Sequence, residues 1–261
     1  MDTPITTRPD KYFTPTLYSG SGSGAQYVSA GFKPDMVWIK SRNNAWYWNL
    51  YDSVRGSGKE GTDDAAYYIG SNDTAAQSNV NAVSGTQFQG FYGKDTYGGY
   101  IPHYYTGGSG QELNTSGATY VGYCWKAGGG TGAGGEFWID GTQYASAADA
   151  GLDDGSLTVL GASSNTKEGF SIIKTNLPGS NTASTFSHGL NQAPDFALVK
   201  PTGTTFQWDV YHSAIGQNAY LVLNTSAEYE VNATTVWNNT APTSSVFSPV
   251  SYTHLTLPTK A

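Results

Sequence analysis

The sequence predicts an all-β protein built from two tandem antiparallel β-sandwich units of jelly-roll or lectin-like type, the second of them truncated. Three observations carry that expectation. Gly, Ser, Thr, Asn and Tyr dominate the 261 residues, and charged residues make up only 13%, so few windows hold the Ala, Leu, Glu and Lys mixture that favours helices. Turn formers interrupt every apolar run. The aromatic-rich stretch PDMVWIKSRNNAWYWNLYDSVRG, Pro34 to Gly56, returns as PDFALVKPTGTTFQWDVYHSAIG, Pro194 to Gly216.

Aligning Pro34 with Pro194 holds an offset of 160 residues without a gap as far as Gly56 and Gly216. Identities fall at Pro34/Pro194, Asp35/Asp195, Lys40/Lys200, Trp48/Trp208, Tyr51/Tyr211, Ser53/Ser213 and Gly56/Gly216. Between them the swaps keep character, with Ile39 becoming Val199, Trp46 Phe206 and Leu50 Val210. This is an internal duplication. Pro-Asp ahead of MVWIK or FALVK sets a turn that feeds a strand with apolar residues on both faces, the pattern of a doubly buried strand. In NNAWYWNLYD the period becomes two. Trp46, Trp48 and Leu50 are expected on one face and Tyr47 and Asn49 on the other, and copy two repeats this with Phe206, Trp208 and Val210 against Gln207 and Asp209. The first face is expected to be core and the second wet. Asp35, Trp48 and Tyr51, with Asp195, Trp208 and Tyr211, are assigned to the structural core of the repeat.

In chain order, residues 1–11 form an N-terminal segment and 12–126 the first sandwich, closed by the apolar strand YVGYCWK. Residues 127–168 form a connector. Its run Gly128 to Gly135 reads as a flexible spacer by composition, and YASAADAGL, Tyr144 to Leu152, as a helical turn or two ended by Gly151. Residues 169–248 form the second sandwich, which runs only to WNNTAPTSSVFS and is expected to lack a counterpart to YVGYCWK. Residues 249–261 break with all that precedes them. SYTHLTLPT, Ser251 to Thr259, resembles the in-frame translation of a transposase adapter used in shotgun sequencing libraries, so the native sequence is expected to stop near Ser248 on an incomplete fragment.

Composition excludes several classes. The net charge is −7 and the thirteen Lys and Arg are scattered, whereas a phosphate-tracking groove needs clustered positive charge; no nucleic-acid partner is expected. Cys124 is the only cysteine, so neither a disulfide framework nor a Cys-based zinc site is encoded, and its place in YVGYCWK is that of an inert core thiol. No apolar signal region and no long apolar run is present, so no export signal or membrane insertion is expected.

The chain carries no convincing catalytic constellation. GTGAGG, Gly130 to Gly135, fits the dinucleotide pattern but leads into the strand-like EFWIDG rather than a helix, so no helix N-terminus awaits a pyrophosphate. Asp153 and Asp154 are neighbours in a turn and diverge, unlike a glycosidase pair. No calcium loop or His-x-x-x-His pair is present, and no Gly-x-Ser-x-Gly elbow supports a triad around His103, His188 or His212. Asp52 and Arg55 become His212 and Ile215 in copy two, so they are read as a surface ion pair rather than a catalytic pair. The best binding candidate is the loop FYGKDTYGGYIPHYYTGGSG, where Tyr97, Tyr100, His103, Tyr104 and Tyr105 stand among glycines. Tyrosine offers contact area, low ordering entropy and a hydroxyl, which suits receptor or glycan recognition. The alternative is that these rings pack against a neighbouring subunit or cap their own sandwich.

The combination of FKPDMVWIKSR, LYDSVRG, YVGYCWKAGG, FWIDGTQYASAADAGL, GFSIIK, APDFALVK and WNNTAPTSSVF resembles a family of tandem-repeat virion structural or tail-fibre-like proteins of marine bacteriophages, over roughly residues 12 to 248. The resemblance implies a non-enzymatic virion protein, such as a tail fibre or appendage, contributing to host-surface adhesion. It implies other virion or tail proteins as partners, a host-surface glycan or protein as receptor, and a homo-oligomer at full length. It supplies no catalytic residues, no metal and no cofactor. Two other readings stay open: a polysaccharide-degrading tail enzyme, and a bacterial surface carbohydrate-binding lectin.

Overall fold

The computed structural model describes residues 8–56, 66–80, 88–94, 97–104, 113–176, 183–226, 230–231, 236–249 and 255–259. One turn of 3-10 helix, Pro9–Lys11, leads into copy one. There follow β1 (Phe13–Ser19), β2 (Val28–Ser29), β3 (Met36–Ser41), β4 (Asn49–Asp52), β5 (Ala66–Gly70), β6 (Ser78–Val80), β7 (Phe88–Lys94), β8 (Tyr97–Pro102) and β9 (Thr119–Trp125). The connector adds β10 (Phe137–Ile139), β11 (Thr142–Tyr144) and β12 (Val159–Asn165). Copy two holds β13 (Phe170–Thr175), β14 (Phe186–Ser187), β15 (Phe196–Val199), β16 (Asp209–His212), β17 (Ala219–Val222), β18 (Glu230–Val231), β19 (Val246–Phe247) and β20 (Leu255–Thr259). The all-β expectation holds.

The duplication is written into the pairing. One sheet has the order β1-β9-β3-β4-β5-β6, and the other contains β13-β20-β15-β16-β17-β18 after β11-β10-β12. In copy one Val37 faces Tyr51 and Trp38 faces Leu50; in copy two Ala197 faces Tyr211 and Leu198 faces Val210. Each of these partners lies at the same 160-residue offset that the sequence shows. All pairs are antiparallel except β10 with β12.

Each large sheet is covered on one face by its own small sheet. The strands β2-β8-β7 lie over copy one, and Val37, Ile39, Tyr51, Tyr120 and Cys124 meet Phe88, Phe91 and Tyr100 there. The pair β14-β19 lies over copy two, where Val199 and Tyr211 meet Phe186, Phe247 and Trp237. The two uncovered faces then close on each other: Met36, Leu50, Val54 and Ile69 of copy one share a third core with Phe170, Ile172, Leu198, Trp208 and Val210 of copy two. Where these faces meet, β3 and β15 are covered on both sides, which is why MVWI and FALV are apolar.

This arrangement corrects the expected wet face. Asn49 and Asp209 are buried, because the face opposite Leu50 and Val210, which also carries Tyr51 and Tyr211, meets the small sheet rather than solvent. Trp46 and Trp48 also part company. Trp46 stacks toward Tyr120 within copy one's own core, whereas Trp48 lies against Trp38 on the opposite face. Both precede the first residue of β4, so strict strand alternation does not govern them. Trp48 is only half-buried and Asp195 likewise, while Asp35, Tyr51, Trp208 and Tyr211 are core as expected.

The glycine-rich connector is packed, which overturns its reading as a flexible spacer. A Cβ on Gly128 would stand 2.3 Å from the Trp138 carbonyl oxygen and 2.4 Å from that of Ser164. Gly130, at φ +146°, turns its carbonyl toward the Lys33 ammonium, which donates to it. Ser163 Oγ accepts the Gly129 N–H at 3.1 Å and donates to the Gly129 carbonyl at 2.7 Å. The glycines are there because two chains approach too closely for side chains. Farther on, the expected helical segment is a single turn. Ser146 and Asp149 cap its start, and Leu152 N–H to Ala147 O with Gly151 N–H to Ala148 O closes it, with Gly151 at φ +66°.

Asp35 ties three pieces of copy one together. Its carboxylate accepts the Ala127 N–H at 2.8 Å and the Ser53 hydroxyl at 3.3 Å, while its own N–H donates to Trp125 O. Burial raises its pKa from 3.8 to about 6, against the opposing pull of the Ala127 N–H and Lys33. In that window the folded protein holds a proton that the unfolded chain has released. Stability from this group is thus greatest below pH 4, and it falls by about 3 kcal/mol as pH rises to 6. Asp35→Asn should flatten that part of the stability-pH profile, as chemical denaturation at a series of pH values would show. An unaltered slope would assign the proton elsewhere.

The expected gap in copy two is filled. β20 lies between β13 and β15, with Phe196 facing Thr259 as Met36 faces Trp125, so it occupies the slot of β9. It fills that slot less completely. β9 meets β1 at seven residue pairs, whereas among the described residues β20 meets β13 at one pair, Phe170 with Thr259, and it shifts register against β15 between Ala197 and Leu198. Replacing residues 250–261 by the Thr119 to Ala127 segment of copy one should therefore raise the thermal unfolding midpoint. A lower midpoint would mean that the slot of copy two is shaped for another sequence.

Candidate functional site

The closure of the two sheets is not symmetric, and the asymmetry makes a cleft. In copy two the Trp208 indole crosses the joint and donates to Gly70 O of copy one at 2.8 Å, leaving the ring fully buried. Among the described residues its counterpart Trp48 makes no such crossing bond. Copy one carries Trp38 where copy two has the buried Leu198, and Trp48 packs edge-to-face on Trp38 with ring centroids 5.4 Å apart. Beside the two indoles opens a cleft of about 490 Å³, lined by Trp38, Trp48, Ser71, Asn72, Leu223, Asn224, Thr225 and Ser226.

Its walls are held by one motif used twice. Asn72 Oδ1 accepts the Trp48 N–H at 2.9 Å, and Asn224 Oδ1 accepts the Trp208 N–H at 2.9 Å. The backbone answers in kind, with Ser71 N–H donating to Trp48 O and Leu223 N–H to Trp208 O. Trp38 Nε1–H donates to Ser71 Oγ at 2.8 Å and fixes that ring. Behind the cleft Lys200 is buried and donates to Thr74 O and Phe206 O, so one ammonium clamps both copies. Burial pushes its pKa down to about 8, with Asp73 and Asp209 opposing. The two Asn positions escaped the sequence reading because the gapless offset ends at Gly56: Trp and Asn are 24 residues apart in copy one and 16 in copy two. The shared signal was YIGSN against LVLN.

Chemically, this lining can stack and hydrogen-bond. Its eight described residues offer indole faces, amides and hydroxyls.

Of the tyrosine-rich loop's candidates, Tyr100 is withdrawn from any exposed patch. Tyr100 is fully buried, with its hydroxyl 2.7 Å from Thr16 Oγ1, and burial raises its pKa well above the ordinary range. Tyr92 is buried as well. The rings turn inward because β7 and β8 are the covering sheet of copy one and must supply that core. Tyr104 and His103 are half-buried; Tyr105 and the Tyr97 side chain lie outside the described residues.

The remaining candidates are structural. Asp52 and Arg55 form a buried ion pair, not a surface one: Asp52 accepts the Arg55 backbone N–H at 2.8 Å, and Arg55 Nη2 donates to Leu50 O at 2.9 Å. In copy two the turn is bonded differently: His212 Nδ1 accepts the Ala214 N–H at 3.0 Å, and the Ile215 N–H, the counterpart of the Arg55 N–H, donates to the His212 carbonyl at 3.1 Å. His188 is buried, with Nδ1 accepting the Leu190 N–H and Nε2 against Thr243 O, and burial lowers its pKa. Burial pushes the Cys124 thiol up to about 12, as suits an inert core cysteine. Among the described residues no three His, Cys, Asp or Glu side chains stand close enough to hold a metal, and no helix is long and apolar enough to cross a membrane.

Fold and cleft together define a tandem-repeat β-sandwich protein whose two units share one core and frame an aromatic cleft. Its chain belongs to the DUF7483 family, a domain of unknown function, whose profile matches residues 8–153 and again residues 137–257. The double match agrees with the duplication. No curated protein and no solved structure matches the chain.

The asymmetry of the two tryptophans is measurable. Trp208→Ala should cost about 3–5 kcal/mol in denaturant unfolding, as for a fully buried aromatic ring. Trp48→Ala should cost less than half as much, because one side of its ring already meets solvent. Equal losses would mean that Trp48 is as much a part of the core as Trp208.

Proposed function

We propose that this protein is a non-enzymatic adhesion module of a phage virion, in a tail fibre or similar appendage, and that it holds a host-surface glycan in the cleft between its two repeats. The observation that carries the proposal is the lining of that cleft. Trp38 and Trp48 offer apolar faces to the C–H surfaces of a sugar ring, while Asn72, Asn224, Ser71 and Ser226 ring them with groups suited to hydroxyls. Among the described lining residues none is ionisable, which favours binding over hydrolysis, since glycoside cleavage uses a carboxylate pair across the bond. The virion setting rests on the resemblance of the repeat strings to tail-fibre-like proteins. In that setting the module would assemble with other virion proteins and work outside the host cell.

Purified protein should bind host cells and a panel of their envelope glycans. Trp38→Ala and Trp48→Ala should each weaken binding at least about tenfold, ~1.4 kcal/mol. Tyr27→Ala, an exposed ring packed on Tyr92, serves as the control and should leave binding unchanged. Binding that survives both tryptophan variants would overturn the cleft as receptor site, and release of reducing sugar would overturn the non-enzymatic reading.

A further inference from the structure

We infer, resting on the glycan-binding reading, that the ligand is an extended, uncharged oligosaccharide which leaves the cleft over Tyr123 and Phe13 on the outer face of the first sheet. The cleft does not end at Trp48. Tyr123 lies with its ring 6.5 Å from that of Trp48 and 14° from parallel, and Phe13 lies 6.5 Å beyond Tyr123 at 6°. Three aromatic rings thus follow one another at equal steps with nearly parallel planes, which suits a ligand that repeats. The row crosses from the cleft to β9 and then to β1, the edge strand of its sheet.

This strip is the part of the first sheet that the second does not cover. The shared core takes Met36, Leu50 and Ile69, and the stack of Phe170 on Trp125, at 6.1 Å and 13°, marks its border. Beyond that border Phe13 is 39% exposed and Leu17 66%, so the face is open at its outer end. An open apolar strip that runs unbroken into a polar-rimmed cleft needs one occupant matching both, and a saccharide chain has apolar ring faces and hydroxyl edges along its length.

Charge selects among saccharides. Among the described residues no Lys, Arg, Asp or Glu belongs to the cleft lining or to the ring row, and the Lys40 ammonium on this face is already held by Ser41 O and Asn44 O. With a net charge of −7 the protein also repels polyanions at long range. The ligand class is therefore neutral rather than uronic or sulfated.

The test is calorimetric titration with neutral gluco-, xylo- and manno-oligosaccharide series from disaccharide to octasaccharide, alongside oligogalacturonate of matched length. In the series that binds, affinity should rise at least about tenfold between the disaccharide and the longest member. Phe13→Ala and Tyr123→Ala should abolish that rise while leaving disaccharide affinity within about twofold, and Tyr123→Phe should restore it. Length-independent binding would overturn the extended site yet leave the cleft reading intact, and absence of binding across every neutral series would overturn both. Preference for oligogalacturonate would overturn the neutral ligand class. Concentration-dependent dimerisation of the wild type, lost in Phe13→Ala, would assign the strip to a second copy of this chain instead.

Discussion

Everything in this fold depends on the contact between the two large sheets. The central strands of each repeat are apolar on both faces, so a single repeat with its one small covering sheet would leave Met36, Leu50 and Ile69, or Ile172, Leu198 and Val210, against water. Each such side chain is worth about 1.5–3 kcal/mol when fully buried. The tandem arrangement resolves this by burying the two faces against each other. The chain needs its segment twice because each copy is the other's missing layer.

That closure is reinforced where it matters for orientation. Trp208 donates to Gly70 O, Lys200 to Thr74 O, and the backbone N–H groups of Gln77 and Phe206 reach Thr202 O and Thr74 O across the joint. A hydrophobic contact alone is indifferent to small slides, whereas these bonds fix one register between the copies. The cleft follows from the same register. With Leu198 beneath it, Trp208 can cross and plug its side; with Trp38 in the way, Trp48 stays on its own sheet and leaves space.

Buried polar groups show why residue identity and role diverge between copies. The Asp52–Arg55 pair lies in the interior and holds a turn that copy two closes with other bonds, Ala214 N–H to His212 Nδ1 and Ile215 N–H to the His212 carbonyl. Removing one partner of such a pair strands a charge, which is far costlier than never having had the pair. Asp35 is kept although burial disfavours its charge, because its carboxylate collects the Ala127 N–H and the Ser53 hydroxyl at a point where three segments meet. Asp195 keeps the matching backbone bond, with Ser213 N–H donating to its carbonyl, but it is half-buried.

The all-β class, the duplication, the doubly buried strands MVWIK and FALVK, and the inert Cys124 were set by the sequence itself. These rest on local pattern: turn formers, period and repeat offset act between near neighbours and survive in any reading of the chain. What lay beyond it were the identities of the second faces. Asn49 and Tyr100 carry polar groups and read as wet, yet Asn49 lies beneath the covering sheet and Tyr100, on that sheet, turns inward onto the large one. The glycine run read as slack, yet Trp138 and Ser164 press on it and make it a tight joint. Trp38, Trp48, Asn72 and Asn224 meet only because two sheets formed from distant segments close face to face, and no local pattern encodes what a face will meet.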